Sequence, residues 1–137
     1  MKKYSFNITS LTVIIVVLLF ACNKEKNNNC ISYNQAPINS VTVPASGQVN
    51  QNVPITISFG CYNGCGQFGS IEETNQGNTK EIKIIAKYEG CICTQDAPLR
   101  QTTYNFNSTT SGTFILKFLQ NNNTFIVDTI IIQWLKK

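Results

Sequence analysis

The chain has 137 residues and a formal net charge of +4, and 42% of its residues are hydrophobic while only 13% are charged. This length fits a single domain, and the aromatic content of 10% is too high for a disordered chain. The sequence contains no histidine, which excludes a Ser-His-Asp triad, a Cys-His pair and a histidine-ligated zinc site. The composition therefore predicts a folded domain that lacks the commonest general base at neutral pH.

The first 21 residues have the pattern of a secretory signal. Two lysines near the start precede an apolar run over residues 11–21, which is too short for a membrane-spanning helix. The run ends in Leu19-Phe20-Ala21-Cys22, which resembles the lipobox of bacterial lipoproteins. This resemblance implies that residues 1–21 form a cleaved signal peptide and that lipid on Cys22 anchors the mature chain in a membrane.

Residues 22–37 are mostly polar and are predicted to tether the lipid to a domain over residues 38–137. By the same resemblance, Asn23 stands where an aspartate retains lipoproteins at the inner membrane, so the outer membrane is favoured within the cell envelope. Periplasmic and surface-facing orientations both stay open. The mature chain keeps no basic stripe, and we expect no nucleic-acid partner.

From Ile38 onward, apolar residues recur with a period of two, and turn-forming residues separate the runs. This pattern predicts short strands near residues 41–43, 53–59, 67–73, 80–88, 102–107, 114–118 and 124–134. About seven strands with such alternation predict an all-β fold, an antiparallel sandwich of two sheets. Asn121-Asn122-Asn123 is expected to turn the last two strands into a hairpin.

The last predicted strand is apolar on both faces. One face has Phe125, Val127 and Ile131, and the other has Ile126, Ile130, Ile132 and Trp134. Either one face, with Trp134, is a surface for a partner, or a bulge rotates these side chains into the core.

The strand before it carries a family resemblance. Ser111-Gly112-Thr113-Phe114-Ile115-Leu116 resembles the Gly-x-Tyr-x-Cys stretch of the penultimate strand in immunoglobulin-like domains, with Phe114 and Leu116 at the inward sites. The resemblance implies an immunoglobulin-like sandwich over residues 38–137. Residues 41–133 are similar to small bacterial envelope lipoproteins that have no assigned activity.

Five cysteines remain in the mature chain, in a compartment where disulfides persist. Cys91 and Cys93 are two apart on an extended chain, which places their Cα atoms near the upper limit for a disulfide. We therefore expect Cys61 or Cys65 to be joined to Cys91 or Cys93, with the connectivity open. Cys30 then stays unpaired, bonds between chains, or displaces one member of this set.

Two loops, near residues 61–67 and 91–100, are the expected contact surface, with Gln67, Asp96 and Arg100 as candidate binding residues. Asp96 and Arg100 are also spaced for a local salt bridge. The sequence does not combine a nucleophile, a base and an orienting group, so we expect a protein that is not an enzyme.

These features predict a lipid-anchored binding or structural module without cofactor or metal, whose ligand is a protein or a glycan. One alternative is a metal or redox lipoprotein that uses the thiolates of Cys61, Cys65, Cys91 and Cys93. Another alternative is an inhibitor or immunity lipoprotein that blocks a toxin or a protease.

Overall fold

The structure, a computed structural model, describes residues 30–135. The predicted signal peptide over residues 1–21, the predicted lipidation site Cys22 and the first part of the predicted tether lie outside the described residues. Two β-sheets packed face to face confirm the predicted all-β sandwich. Within residues 30–135 we find no helix with the length and apolarity needed to cross a membrane.

In chain order, the strands of the described part are β1 (Ile31–Ala36), β2 (Ile38–Thr42), β3 (Ser46–Gln48), β4 (Val53–Gly60), β5 (Gly66–Gln76), β6 (Thr79–Glu89), β7 (Leu99–Phe106), β8 (Gly112–Leu119) and β9 (Phe125–Gln133). The smaller sheet has the order β2-β4-β7. In the larger sheet, β5 pairs along one edge of β6, while β1 and β8 pair with the two halves of the other edge. β9 then joins β8, and β3 joins β9.

The sandwich differs from the predicted one in strand number and in direction. It has nine strands within residues 30–135 instead of about seven, and the pairs β3 with β9 and β6 with β8 are parallel. Parallel and antiparallel strands share the same period of two, so alternation in the sequence does not distinguish them. β3 was missed because three residues are too few to show a period.

Strand β1 corrects the predicted boundary between tether and domain. Residues 31–36 were assigned to the tether because the period of two was recognised only from Ile38 onward, yet they pair with β6 from Ile31 opposite Glu89 to Ala36 opposite Ile84. Backbone hydrogen bonds to β6 do not require an apolar side chain at each second position. The folded domain therefore begins by Cys30 rather than at residue 38.

The core lies between the sheets and is built from the predicted inward faces. Every second residue of β4, β6 and β8 is buried, which confirms the alternation expected for these strands. The side chains with no exposed surface at all include Ile55, Ile57, Phe59, Ile82, Ile84, Phe106, Leu116, Phe118 and Ile130. Phe114 and Leu116 both point into this core, as the resemblance to a penultimate immunoglobulin-like strand implied.

The two apolar faces of β9 have different environments. Ile130 and Ile132 are buried in the core, whereas Val127 and Ile131 are exposed on the outer surface of the larger sheet. The pairing of β8 with β9 runs without a register shift, so the predicted alternative of a bulge is wrong. Trp134 does not share the buried face, because β9 ends at Gln133 and the indole is exposed.

The hairpin expected at Asn121-Asn122-Asn123 is confirmed. Asn122 and Asn123 have positive φ angles of 45° and 66°, a conformation that asparagine tolerates better than most residues. The amide of Gln120 donates to the carbonyl of Thr124 at 2.8 Å and closes the turn. The polar tripeptide thus sets the register of the last two strands.

Candidate functional site

Two disulfides join the segments that meet at one end of the sandwich. Cys30, just before β1, is bonded to Cys91, and Cys65, just before β5, is bonded to Cys93. The Cα atoms are 5.0 Å apart in the first pair and 5.4 Å in the second, within the usual range for a disulfide. Both bridges hold residues 90–98, which we call the clamped loop, and we call this part of the molecule the clamped end.

The pairing corrects the sequence-based expectation in one respect. Cross-pairing between the two predicted groups occurs as Cys65 with Cys93, but Cys91 is bonded to Cys30, and Cys61 is a free, buried thiol. Cys30 therefore displaces Cys61 from the expected set, which is the third of the alternatives left open for Cys30, and Cys61 has no disulfide partner. Because β1 pairs with the second half of β6, Cys30 lies beside Gly90, whose amide donates to the Cys30 carbonyl at 2.9 Å.

Cys61 follows β4 and packs into the core below this end. Burial raises the pKa of the Cys61 thiol, and a hydrogen bond with Tyr88 and the positive charge of Arg100 oppose this only in part. A thiol with a raised pKa is mostly protonated at neutral pH and is a poor nucleophile and a poor metal ligand. The environment of Cys61 therefore suits packing rather than chemistry.

The loop after β4 and the clamped loop are in close contact, as expected for loops that form one surface. The amide of Gly64 donates to the carbonyl of Thr94 at 3.0 Å. A Cβ atom on Gly64 would lie 1.9 Å from the hydroxyl oxygen of Thr94, so only glycine allows this approach. Together with the Cys65–Cys93 bridge, this contact gives the clamped loop a rigid support.

The three candidate binding residues do not share one loop. Gln67 lies in β5 and Arg100 in β7, and only Asp96 lies in the clamped loop. The Arg100 guanidinium donates to the carbonyls of Gly66 and Gly64, at 3.1 and 3.4 Å, while Asp96 accepts a hydrogen bond from Thr94. Arg100 thus supports the loop after β4, and no ion pair joins it to Asp96 within residues 30–135.

Two stacked tyrosines line a shallow hollow beside the disulfides. The ring centroids of Tyr62 and Tyr88 are 3.9 Å apart, and the Tyr88 hydroxyl accepts a hydrogen bond from the Tyr62 amide at 3.2 Å. The side-chain amide of Asn34 donates to the Tyr62 hydroxyl at 2.8 Å. The hollow has a volume of about 250 Å³ and also contacts Cys30 and Cys93.

Large apolar side chains are exposed at the clamped end. Ile92, between the two disulfide-bonded cysteines of the clamped loop, keeps 95% of its surface exposed. Ile31 lines the same hollow as Tyr62, and Leu99 lines a second hollow with Tyr62. We call these exposed side chains at the clamped end, Ile31, Tyr62, Ile92 and Leu99, the apolar rim. Groups of exposed apolar side chains often belong to interaction surfaces.

The sequence did not single out Ile92, Tyr62 or Tyr88. An apolar residue between two cysteines is a weak signal, because the exposure of Ile92 follows only from the pairing of both neighbours with distant cysteines. The tyrosine stack joins residues 26 positions apart, and alternation in the sequence does not show such a contact. The exposure of Ile92 and the tyrosine stack are therefore visible only in the tertiary structure.

A polar cluster away from the clamped end lies where the edges of the two sheets meet. Glu73 in β5 pairs with Lys80 in β6 and accepts a hydrogen bond from the Tyr104 hydroxyl in β7. Burial by itself raises the pKa of Glu73, but the hydrogen bonds from Lys80 and Tyr104 outweigh it and hold that pKa below its ordinary value. The carboxylate therefore connects both sheets while it is ionised.

We expect this cluster to make stability depend on pH. The contribution of Glu73 is fully present above its unfolded-state pKa of about 4.3 and is lost as the pH falls through the lower folded-state pKa. Glu73→Gln should therefore flatten the decrease in the free energy of unfolding below pH ~4.3, measured by urea titration. Glu72→Gln, on the opposite face beside Lys83, is the control and should keep the wild-type slope. Equal slopes in the two variants would contradict this role.

Comparison with known proteins adds a family. A family model described as the ORF11 β-sandwich domain matches residues 55–131, more than half of the chain. The matched range extends from β4 into β9 and includes Cys65 and Cys93, whereas Cys30 and Trp134 lie outside it. No curated protein and no solved structure matches the chain. With a two-sheet sandwich over the matched range, the chain belongs to the ORF11 β-sandwich domain family.

Proposed function

We propose that this protein is a lipid-anchored, non-catalytic binding module of the cell envelope, and that the apolar rim of the clamped end contacts a partner protein. The observation that carries the proposal is the exposure of Ile92, an aliphatic side chain that keeps 95% of its surface exposed on a loop held by two disulfides. A contact residue that is ordered before binding loses little conformational entropy on association. Apolar and aromatic side chains at the centre of an interface also contribute most of its binding energy.

The geometry of the clamped end supports binding better than thiol chemistry. The alternative of a metal or redox protein requires Cys61, Cys65, Cys91 and Cys93 as free thiolates. Cys65 and Cys93 are bonded to each other, and Cys91 is bonded to Cys30, so these sulfur atoms are not available as ligands in this state. Cys61 alone is buried, and its raised pKa disfavours the thiolate.

One observation favours the second candidate function, an inhibitor or immunity lipoprotein. A rigid loop that presents a single aliphatic side chain has a shape that fits the concave specificity pocket of a protease or the cleft of a toxin. Ile92 has this position, with a bonded cysteine on each side. Both functions use the same surface, and the identity of the captured partner distinguishes them.

We expect Ile92→Asp to weaken capture of the partner ~30-fold, because a buried charge replaces a hot-spot side chain. Its melting temperature should equal that of the wild type, since the Ile92 side chain has almost no intramolecular contact. The measurement is photo-crosslinking in intact envelopes with benzoylphenylalanine at position 92, followed by affinity measurement with the identified partner. Val127→Asp, on the exposed face of β9, is the matched control and should retain wild-type affinity. Crosslinking from position 127 but not from position 92 would reject this surface.

The proposed anchor is tested separately from the binding surface. We expect cells supplied with labelled palmitate to incorporate it into the wild-type protein, with incorporation lost in Cys22→Ser. Protease treatment of intact cells then distinguishes a surface-facing domain from a periplasmic one. An unlabelled wild-type protein would remove the lipid anchor from the proposal and leave the binding surface standing.

A further inference from the structure

A cleft lies at the opposite end of the sandwich from the disulfides. It has a volume of about 680 Å³ and is formed by β3, the loop after it, the start of β4 and the residues that follow β9. Val53 and Pro54 line it at the beginning of β4, whereas the other end of β4 leads to Cys61. The cleft is therefore separated from the clamped end by the length of a strand.

The chemistry of the lining is uncharged and rich in amides. The lining residues include four that carry a side-chain amide, Gln48, Gln51, Asn52 and Gln133, and also Trp134, which is 63% exposed. None of the described residues that line the cleft carries a charge. Each amide offers two donor hydrogens and an acceptor oxygen, so the cleft can satisfy groups that both donate and accept hydrogen bonds.

The backbone below the cleft is fixed by close packing and hydrogen bonds. A Cβ atom on Gly47 would lie 2.3 Å from a methyl group of Val53, so a larger residue at position 47 would displace the floor. The Val49 amide donates to the Gln133 carbonyl at 3.0 Å. The Asn107 side chain donates to the Asn52 side-chain oxygen at 3.1 Å, which orients one of the lining amides. The site is thus ordered before a ligand arrives.

We propose that this cleft binds a neutral saccharide of about two sugar units. A pyranose ring has an apolar face of C–H groups that stacks on an indole, and a rim of hydroxyl groups that pair with amides. An anionic ligand such as a phosphate would require a basic side chain or a helix N-terminus, and neither is among the lining residues. The volume lies within the range of sites for small organic ligands.

This site is independent of the apolar rim. The two surfaces lie at opposite ends of β4, so a saccharide in the cleft would leave the clamped loop accessible. Loss of partner capture in the Ile92 variant would leave saccharide binding unchanged. Absence of saccharide binding would likewise leave the proposed partner surface standing.

The chain has a single tryptophan, so its intrinsic fluorescence reports directly on the cleft. We expect titration of the full chain in detergent with maltose, cellobiose or N,N′-diacetylchitobiose to produce a saturable change in emission for at least one of these sugars. Free glucuronic acid and a uronic-acid disaccharide serve as charged probes. The proposal is overturned if none of the neutral disaccharides produces a saturable change up to the limit of its solubility. It is also overturned if the charged probes bind more tightly than the neutral sugars.

Variants distinguish specific binding from a surface effect on the fluorophore. Trp134→Ala should weaken the affinity at least ~10-fold and Gln51→Ala ~5-fold, measured by saturation-transfer NMR on the sugar protons. Both side chains are exposed, so the melting temperature should stay that of the wild type. Gln35→Ala removes an exposed amide from β1 and is the matched control with unchanged affinity. Equal affinity in all three variants would overturn the assignment of the site.

Discussion

Cys30→Ala should lower the free energy of unfolding by about 4 kcal/mol and the melting temperature by about 20 °C. The bridge from Cys30 to Cys91 closes a loop with a sequence separation of 61, and the loss of this constraint enlarges the unfolded ensemble. It also joins the start of β1 to the clamped loop, and β1 has few buried side chains of its own. Urea unfolding at neutral pH, with and without reductant, measures the effect.

A count of free thiols in the same variants tests the connectivity. In a Cys22→Ser background, denatured Cys30→Ala should show two free thiols, from Cys61 and the released Cys91. Cys61→Ala is the control, and it should show none and lose only about 1–2 kcal/mol, because it removes one buried sulfur atom and no bridge. A newly released thiol in Cys61→Ala would mean that Cys61 is bonded and that the pairing is wrong.

Phe118→Ala is expected to cost about 4 kcal/mol of stability, an effect as large as loss of the disulfide. Phe118 is fully buried in β8 and lies in register between Ile82 of β6 and Ile126 of β9. Removing its ring leaves a cavity that the flanking strands cannot close, since their backbones are held by hydrogen bonds on both sides of β8. The cost is measured as the change in urea midpoint at constant m-value.

Phe68→Ala is the matched control for this truncation. Phe68 lies in β5, is 42% exposed and makes an edge contact with the ring of Phe59, at a centroid distance of 6.4 Å. The same atoms are removed, but a large part of the Phe68 side chain already contacts water, so we expect a smaller loss of about 1–2 kcal/mol. Equal costs for the two variants would contradict the full burial of Phe118 in the core between the two sheets.

The strands that were predicted well are those that bury one face. In β4, β6 and β8 buried apolar residues recur at every second position over most of each strand, because a half-buried strand places each second side chain in the core. β1 has no such pattern, since only Ala36 of that strand is buried. Its position depends on backbone pairing with β6, to which side-chain polarity contributes little.

The candidate site was predicted in outline only. The two loops around Cys65 and Cys93 do meet, as expected from the cysteine groups. The partner of Cys91 was not predicted, because Cys30 reaches it only through the pairing of β1 with β6. Arg100 shows the same limit: its predicted loop position suggested binding, and only the tertiary structure shows its contacts with the carbonyls of Gly64 and Gly66.

The sequence by itself determined the all-β class, the inward faces of the long strands and the hairpin before β9, because these depend on local periodicity and turn chemistry. Only the tertiary structure decided which cysteines are bonded to each other, which strands run parallel, and that the side chains of Ile92 and Trp134 are exposed. Such features join residues that are far apart in the chain. Their proximity follows from how the two sheets pack and pair, and this information is not contained in any short segment.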